Sequence, residues 1–251
     1  MNWDTALYEH QHDFVAHYGE DLFSLLPTDP PLSILDIGCG TGTLTARLAE
    51  RANYICGIDA SAAMVKAARV KYPHLTFDVQ DAMDIPYESM FDVAFSNAVF
   101  HWIPDHARLL AAINAALKPG GCLIAEMGAQ GNCDLILIAF QRAFEKRGYR
   151  FDSPFFYPRT DDYRALLEKN GFSVETIVDF DRPTPLKGGE SGLRRWIEQF
   201  YIGNLERMPK EEWDGLLTEI ENALAPHLRR DGHWIADYRR LRFKAEKITP
   251  A

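Results

Sequence analysis

Two acids and three glycines set the first chemical constraint on this chain. Asp36 stands two residues before the run Gly38-Cys39-Gly40-Thr41-Gly42, and Asp59 follows nineteen residues past Gly40. Alternating glycines suit a sharp turn whose backbone a ligand must approach closely. An acid at that distance, closing a second strand, is placed to accept hydrogen bonds from a pair of ribose hydroxyls. The spacing is D-x-G-x-G-x-G rather than the dinucleotide fingerprint G-x-G-x-x-G, which would need glycine where Thr43 stands. A nucleoside-bearing ligand is therefore expected, and Thr43 argues against a nicotinamide dehydrogenase.

The elements that must position these residues follow from the hydrophobic pattern. Leu32–Ile37 is an apolar strand after Pro30-Pro31, and a helix over 43–51 follows the glycines. A second strand is expected at 54–58 and a helix from the N-cap Ser61 to Lys71. Strands are expected at Leu75–Val79, Phe91–Ser96 and Cys122–Met127. A helix starting near Asp105 carries Leu109, Leu110, Ile113 and Leu117, and Lys118-Pro119-Gly120-Gly121 reads as a turn. This alternation predicts an α/β fold, a doubly wound (Rossmann-like), seven-stranded, mostly parallel sheet. Helices at 134–147 and Asp161–Asn170 and a strand at Ser173–Phe180 come next. An excursion over about 184–230 is too long for a loop, and its helical patterns at Leu193–Leu205 and Glu211–Leu224 predict a helical lid before a last strand at Arg240–Ile248. The expected layout is one domain: a cap helix in 1–27 (Phe14, Tyr18, Leu22, Leu25 and Leu26 at helical spacing), a core in 28–183, the lid in 184–232 and the last strand in 233–251.

Composition narrows the partners. The 251 residues are 47% hydrophobic and 25% charged, with a net charge of −9. That balance fits a globular chain and disfavours a nucleic-acid backbone. Cys39, Cys56, Cys122 and Cys133 form no C-x-x-C pair and are expected as buried thiols in a reducing compartment. No apolar run reaches the ~18 residues of a membrane span, and no secretory signal is visible, so a cytoplasmic protein is expected. Among the eight histidines, His10 and His12 lie two apart and cannot face one metal from a helix. No metal site is expected.

The D-x-G-x-G-x-G run with Asp59 resembles motif I of class I S-adenosylmethionine-dependent methyltransferases. Asp59-Ala60-Ser61 with Met64, Gln80-Asp81-Ala82 and Lys118-Pro119-Gly120-Gly121 are similar to the corresponding segments of the small-molecule members. Ser96-Asn97-Ala98-Val99-Phe100-His101-Trp102 resembles the trans-aconitate methyltransferase group more narrowly. The likeness covers residues 1–127 well and the helical excursion loosely. It implies S-adenosyl-L-methionine as cofactor and S-adenosyl-L-homocysteine as product. It places Gly38, Cys39, Gly40 and Gly42 around the methionine part, with Asn97 and Ala98 beside it. Asp36 would organise the turn and meet the ammonium. Asp59 and Ala60 would take the ribose, Asp81 and Ala82 the adenine, and Met64 the adenine face. Tyr8, on an N-terminal helix that closes over the cofactor in this group, is a further contact. Trp3, Tyr8, Phe100 and Trp102 offer aromatic faces to a sulfonium.

His101 sits just after the fourth strand and is the candidate catalytic base. A carboxylate acceptor would need no base, because it is already ionised near neutral pH. Trp102, Arg194 and Arg195 are candidate acceptor residues, arginine being suited to pair a carboxylate; Arg159, Arg239, Arg240 and Arg242 share that chemistry. The aromatic segment Phe151–Tyr157 would suit a less polar acceptor. The expected function is methylation of a small molecule, O-methylation leading and a carboxylate as a favoured acceptor, by a monomer or homodimer with no nucleic-acid or membrane partner. The rivals are N- or C-methylation of a metabolite, and a non-catalytic adenosyl-ligand binding protein.

Overall fold

A computed structural model describes residues 19–28 and 32–249. Among the described residues eight strands form one sheet: β1 (Leu32–Ile37), β2 (Ala52–Asp59), β3 (Thr76–Val79), β4 (Phe91–Asn97), β5 (Leu117–Gly128), β6 (Phe172–Pro185), β7 (Arg229–Arg230) and β8 (His233–Lys247). The order is β3-β2-β1-β4-β5-β8-β6, with the two-residue β7 pairing β8 outside that path. β1 runs parallel to β2 and β4, β2 to β3, and β4 to β5. Every residue of β1 is buried, as a strand covered on both faces requires.

The helices are α1 (Thr43–Leu48), α2 (Ala62–Lys71), α3 (His106–Ala116), α4 (Asp134–Glu145), α5 (Thr160–Lys169), α6 (Gly192–Leu205) and α7 (Lys210–Leu228). The Ser61 hydroxyl caps α2 by accepting from the Met64 amide, and the Asp105 carboxylate caps α3 by accepting from the Arg108 amide. α2 turns Met64, Val65 and Ala68 inward; α3 buries Leu109, Leu110 and Ile113.

Several boundaries differ from the sequence reading, each for a local reason. Leu117 ends no helix but opens β5 by pairing Phe91; Cys122 then pairs Val93. The expected turn at Lys118–Gly121 is thus a bulge within the strand, with Gly120 at φ 74°. The last strand starts at His233 because Asp231 and Gly232, at φ 49° and 79°, make a tight hairpin that pairs Arg229 with Trp234. Of the expected N-terminal helix, the described part is a 3-10 turn over Glu20–Leu25. Phe14 and Tyr18, with Trp3, Tyr8, His10 and His12, lie outside the described residues.

The chain divides into two compact units. The first comprises 1–127, 158–179 and 241–251 and carries the glycine turn. Part of its core joins Leu22, Ile34, Leu48, Ile55, Val93, Phe95 and Ile124. The second comprises 128–157 and 180–240. Its core is α4, α6 and α7 around Phe140, Phe144, Trp196, Tyr201, Leu217 and Ile220. All four cysteines are buried and free. Among the described residues no helix is long and apolar enough to cross a membrane.

Candidate active site

The glycine turn leaves β1 at its carboxyl end and enters α1. The Gly38 and Cys39 amides both donate to the Ile58 carbonyl, at 2.8 and 3.0 Å, which locks the turn to β2. Gly38 sits at φ 74°, and a Cβ there would overlap the Val99 side chain. Gly40 is the opposite case: at φ 54° a Cβ would meet nothing within 4 Å. The backbone is closed against the protein at Gly38 and open at Gly40, where a ligand can lie against it. Gly42 packs on Phe77, whose Cζ would stand 2.7 Å from a Cβ.

Asp59 ends β2 and is tied by both oxygens. Oδ2 accepts from the Gly40 amide at 3.0 Å and Oδ1 from the Ser61 amide at 2.8 Å. Burial pushes its carboxyl upward while those two amides pull it down. Its carbonyl accepts from the Gln80 amide at 3.0 Å, joining the ends of β2 and β3. Beyond β3, exposed Asp81 folds its own turn, Oδ1 accepting from the Met83 amide at 2.8 Å. Ala82 is half-buried beside it, Ala60 is exposed, and Met64 is buried within α2.

Asp36 is buried within β1 and accepts a hydrogen bond from the Thr45 hydroxyl of α1 at 2.6 Å. Burial pushes its carboxyl up to about 7; the Thr45 bond opposes the rise and the charge of Asp59 adds to it. At the end of β4, Asn97 is buried opposite Glu126 of β5. Ala98 adopts φ 61°, unusual for a residue with a side chain, and its amide donates to the Glu126 carbonyl at 2.8 Å. Such conformations concentrate at functional sites. Gly38–Gly42, Asp59, Asp81 and Asn97–Ala98 thus share the carboxyl edge of adjacent parallel strands, where open α/β sheets bind ligands. An open glycine turn between two carboxylates fits a nucleoside that carries positive charge.

A methyltransferase-domain family model matches residues 35–125. Over 98% of this chain and 98% of the relative, the sequence is 34% identical to an uncharacterized methyltransferase of Schizosaccharomyces pombe. Over 79% of this chain and 80% of the relative, it is 35% identical to the trans-aconitate 2-methyltransferase of Deinococcus radiodurans. The chain belongs to the class I S-adenosylmethionine-dependent methyltransferases, close to the trans-aconitate group. Its fold is shared with phosphoethanolamine N-methyltransferase 2 of Haemonchus contortus, solved in complex with S-adenosyl-L-methionine, at a TM-score of 0.57 and 21% identity over 93% of this chain and 53% of that one.

The candidate catalytic and acceptor residues of this methyltransferase are more scattered. His101 is buried in a 3-10 turn after β4, its ring 5.8 Å from that of half-buried Trp102. His106 opens α3 and is a structural group, its Nδ1 3.0 Å from the Tyr163 hydroxyl. In the second unit Arg194 gives its guanidinium to Glu221 at 2.8 Å, Asp214 at 2.5 Å and the Thr218 hydroxyl at 2.7 Å. An acceptor carboxylate would have to displace those partners. Arg195 is exposed beside Gly188.

Two features escaped the sequence reading. Thr45 is the partner of Asp36, nine residues on; its place in the first turn after the glycines was the signal available. Glu126, buried at the end of β5, accepts from Nε and Nη2 of Arg242 at 2.9 and 2.7 Å. Those two residues are 116 apart, with no local pattern linking them.

Proposed function

We propose that this enzyme methylates an oxygen of a small carboxylic acid, giving a methyl ester. The observation that carries the acceptor class is the 35% identity, over four-fifths of both chains, to a trans-aconitate 2-methyltransferase. The strand-end arrangement supports the cofactor assignments. Gly38, Cys39, Gly40 and Gly42 line the methionine part of S-adenosyl-L-methionine, and Asp36 faces its ammonium. Asp59 and Ala60 hold the ribose, Asp81 and Ala82 the adenine, and Met64 backs the ring. Asn97 and Ala98 flank the sulfonium end.

When bound, S-adenosyl-L-methionine supplies an electrophilic methyl whose sulfur keeps the bonding pair as S-adenosyl-L-homocysteine departs. The protein's contribution is to hold an acceptor oxygen in line with that methyl and to exclude water. A carboxylate is already ionised, so no residue need take a proton. Trp102 is proposed as an acceptor contact in the first unit; in the second, Arg195 is the proposed cation for a carboxylate, with Arg194 available only on exchange of its present partners. The lid expected over 184–232 is proposed to read the acceptor. Cytoplasmic placement, a monomer or homodimer, and the absence of a nucleic-acid partner complete the proposal; the net charge of −9 supports the last.

The buried imidazole of His101 favours one second reading: an acceptor hydroxyl or amine that must lose a proton. One experiment separates the two. The enzyme is supplied with methyl-labelled S-adenosylmethionine and a panel of trans-aconitate, other di- and tricarboxylates, phenols and amines. Ester formation releases label as methanol in mild alkali, and His101→Asn then leaves turnover within a few-fold. Alkali-stable label, with turnover collapsing in His101→Asn, would replace the carboxylate reading with the second.

A further inference from the structure

The proposed cofactor site contains a buried acid whose ionisation must change if a cation docks beside it. Asp36 is 2% exposed and Thr45 is 0% exposed, and the Thr45 hydroxyl donates to Asp36 Oδ2 at 2.6 Å. The pair joins the strand before the glycine turn to the helix after it. Among the described residues the groups facing Asp36 are few. From β2 come Asp59 and the Cys56 thiol, and from the turn the Cys39 thiol. The β4 neighbour in register is Phe95, and α1 offers Thr45. Burial pushes both thiols up, so they stay protonated and carry no charge. Asp59 repels a second negative charge, and its own oxygens are engaged by the Gly40 and Ser61 amides. Among the described residues none of these neighbours brings positive charge to Asp36. Burial, with the charge of Asp59 adding to it and the Thr45 bond opposing it, pushes the ligand-free carboxyl up to about 7, so a protonated fraction is expected at neutral pH.

We propose that the Thr45–Asp36 pair makes cofactor uptake proton-coupled. The α-ammonium of S-adenosylmethionine docks against ionised Asp36, Thr45 positions that carboxylate, and the proton Asp36 carried leaves to solvent. This rests on the reading that the turn holds the cofactor's methionine end. Thr45 is a positioning residue: its hydroxyl favours the charged form of Asp36 and fixes one of its oxygens.

The test counts protons. S-adenosylhomocysteine is titrated calorimetrically into the full-length enzyme at pH 6 and 7, in buffers of differing ionisation enthalpy. Release of about 0.9 proton at pH 6 and about 0.5 at pH 7 is expected for a group titrating near 7. 5′-Methylthioadenosine, which has the nucleoside but no amino-acid end, should bind without release. Thr45→Val should shift the release profile up by about one pH unit, and Thr45→Ser should restore it. Asp36→Asn should bind more weakly and release nothing, with its fold checked by circular dichroism. Adenosyl binding without proton exchange in the wild type would overturn the proposal while leaving the cofactor site intact. So would release unchanged in Thr45→Val and Asp36→Asn. Failure of S-adenosylhomocysteine to bind would overturn the cofactor-site reading beneath it.

Discussion

Asp36→Asn should make the ligand-free protein more stable, and more so as pH rises. The carboxyl has an ordinary value of 3.8 and is pushed up to about 7 by burial. Between those values the native state binds more protons than the unfolded chain. Stability from this group therefore falls as pH rises from about 4, and the loss is complete above about 7. Linkage across that span gives a cost of about 1.5 kcal/mol at pH 5 and about 4 kcal/mol at pH 8. Asparagine keeps an oxygen for the Thr45 hydroxyl and never ionises. Its new N–H group adds a penalty of about 1 kcal/mol that does not depend on pH. The difference in unfolding free energy between variant and wild type should therefore grow by about 2–3 kcal/mol in the variant's favour between pH 5 and pH 8. For a chain of this size that is roughly 5–10 °C of relative melting temperature. Paired thermal and urea melts at pH 5, 6, 7 and 8, followed by circular dichroism, measure it. A difference constant with pH, or one that shrinks as pH rises, would refute the reasoning.

Three further outcomes follow from the geometry. Gly38→Ala must fit a Cβ into Val99 at φ 74° and should cost about 2–4 kcal/mol of stability, whereas Gly40→Ala, with open space at its Cβ but the left-handed φ of 54° to hold, should cost about 1–2 kcal/mol in melts and weaken adenosyl binding in titrations at least tenfold. Arg242→Met takes two charge-assisted hydrogen bonds from the buried Glu126 carboxylate and should cost about 3–5 kcal/mol in urea melts, part of it recovered in the Glu126→Gln, Arg242→Met double variant. Burial holds His106 down at about 4, so its imidazole proton resonances should not titrate between pH 5.5 and 8, and the native state should lose up to about 3 kcal/mol as pH falls from 6.5 to 4, a slope missing in His106→Gln.

The parallel half of the fold was legible because its signals are local. The apolar run before Asp36 and the Ser61 cap each act within a turn of the residue that shows them. Asp59 was legible for the same reason: a strand end at a fixed distance from a glycine turn. What escaped depends on partners far apart in sequence. The 118–121 bulge is set by β4 pairing with β5, not by its own residues. The early start of β8 is the exception, written locally in Asp231-Gly232, a hairpin dipeptide at the end of the 184–232 span expected as lid. Arg194 looked like an anion clamp in isolation; only α7, with Asp214, Thr218 and Glu221 on one face, shows what holds it. No pattern in the chain declares Glu126 and Arg242 a pair.

The central claim is that the glycine turn and Asp59 hold an adenosyl ligand. The most direct measurement is calorimetric titration of S-adenosylmethionine, S-adenosylhomocysteine and NAD into the wild type and Asp59→Ala, with circular dichroism confirming both folds. The account predicts binding of both adenosyl ligands, none of NAD, and an affinity about tenfold to a hundredfold lower once the carboxylate is gone. Unchanged affinity in a folded Asp59→Ala protein, or binding of NAD in preference to the adenosyl ligands, would contradict it.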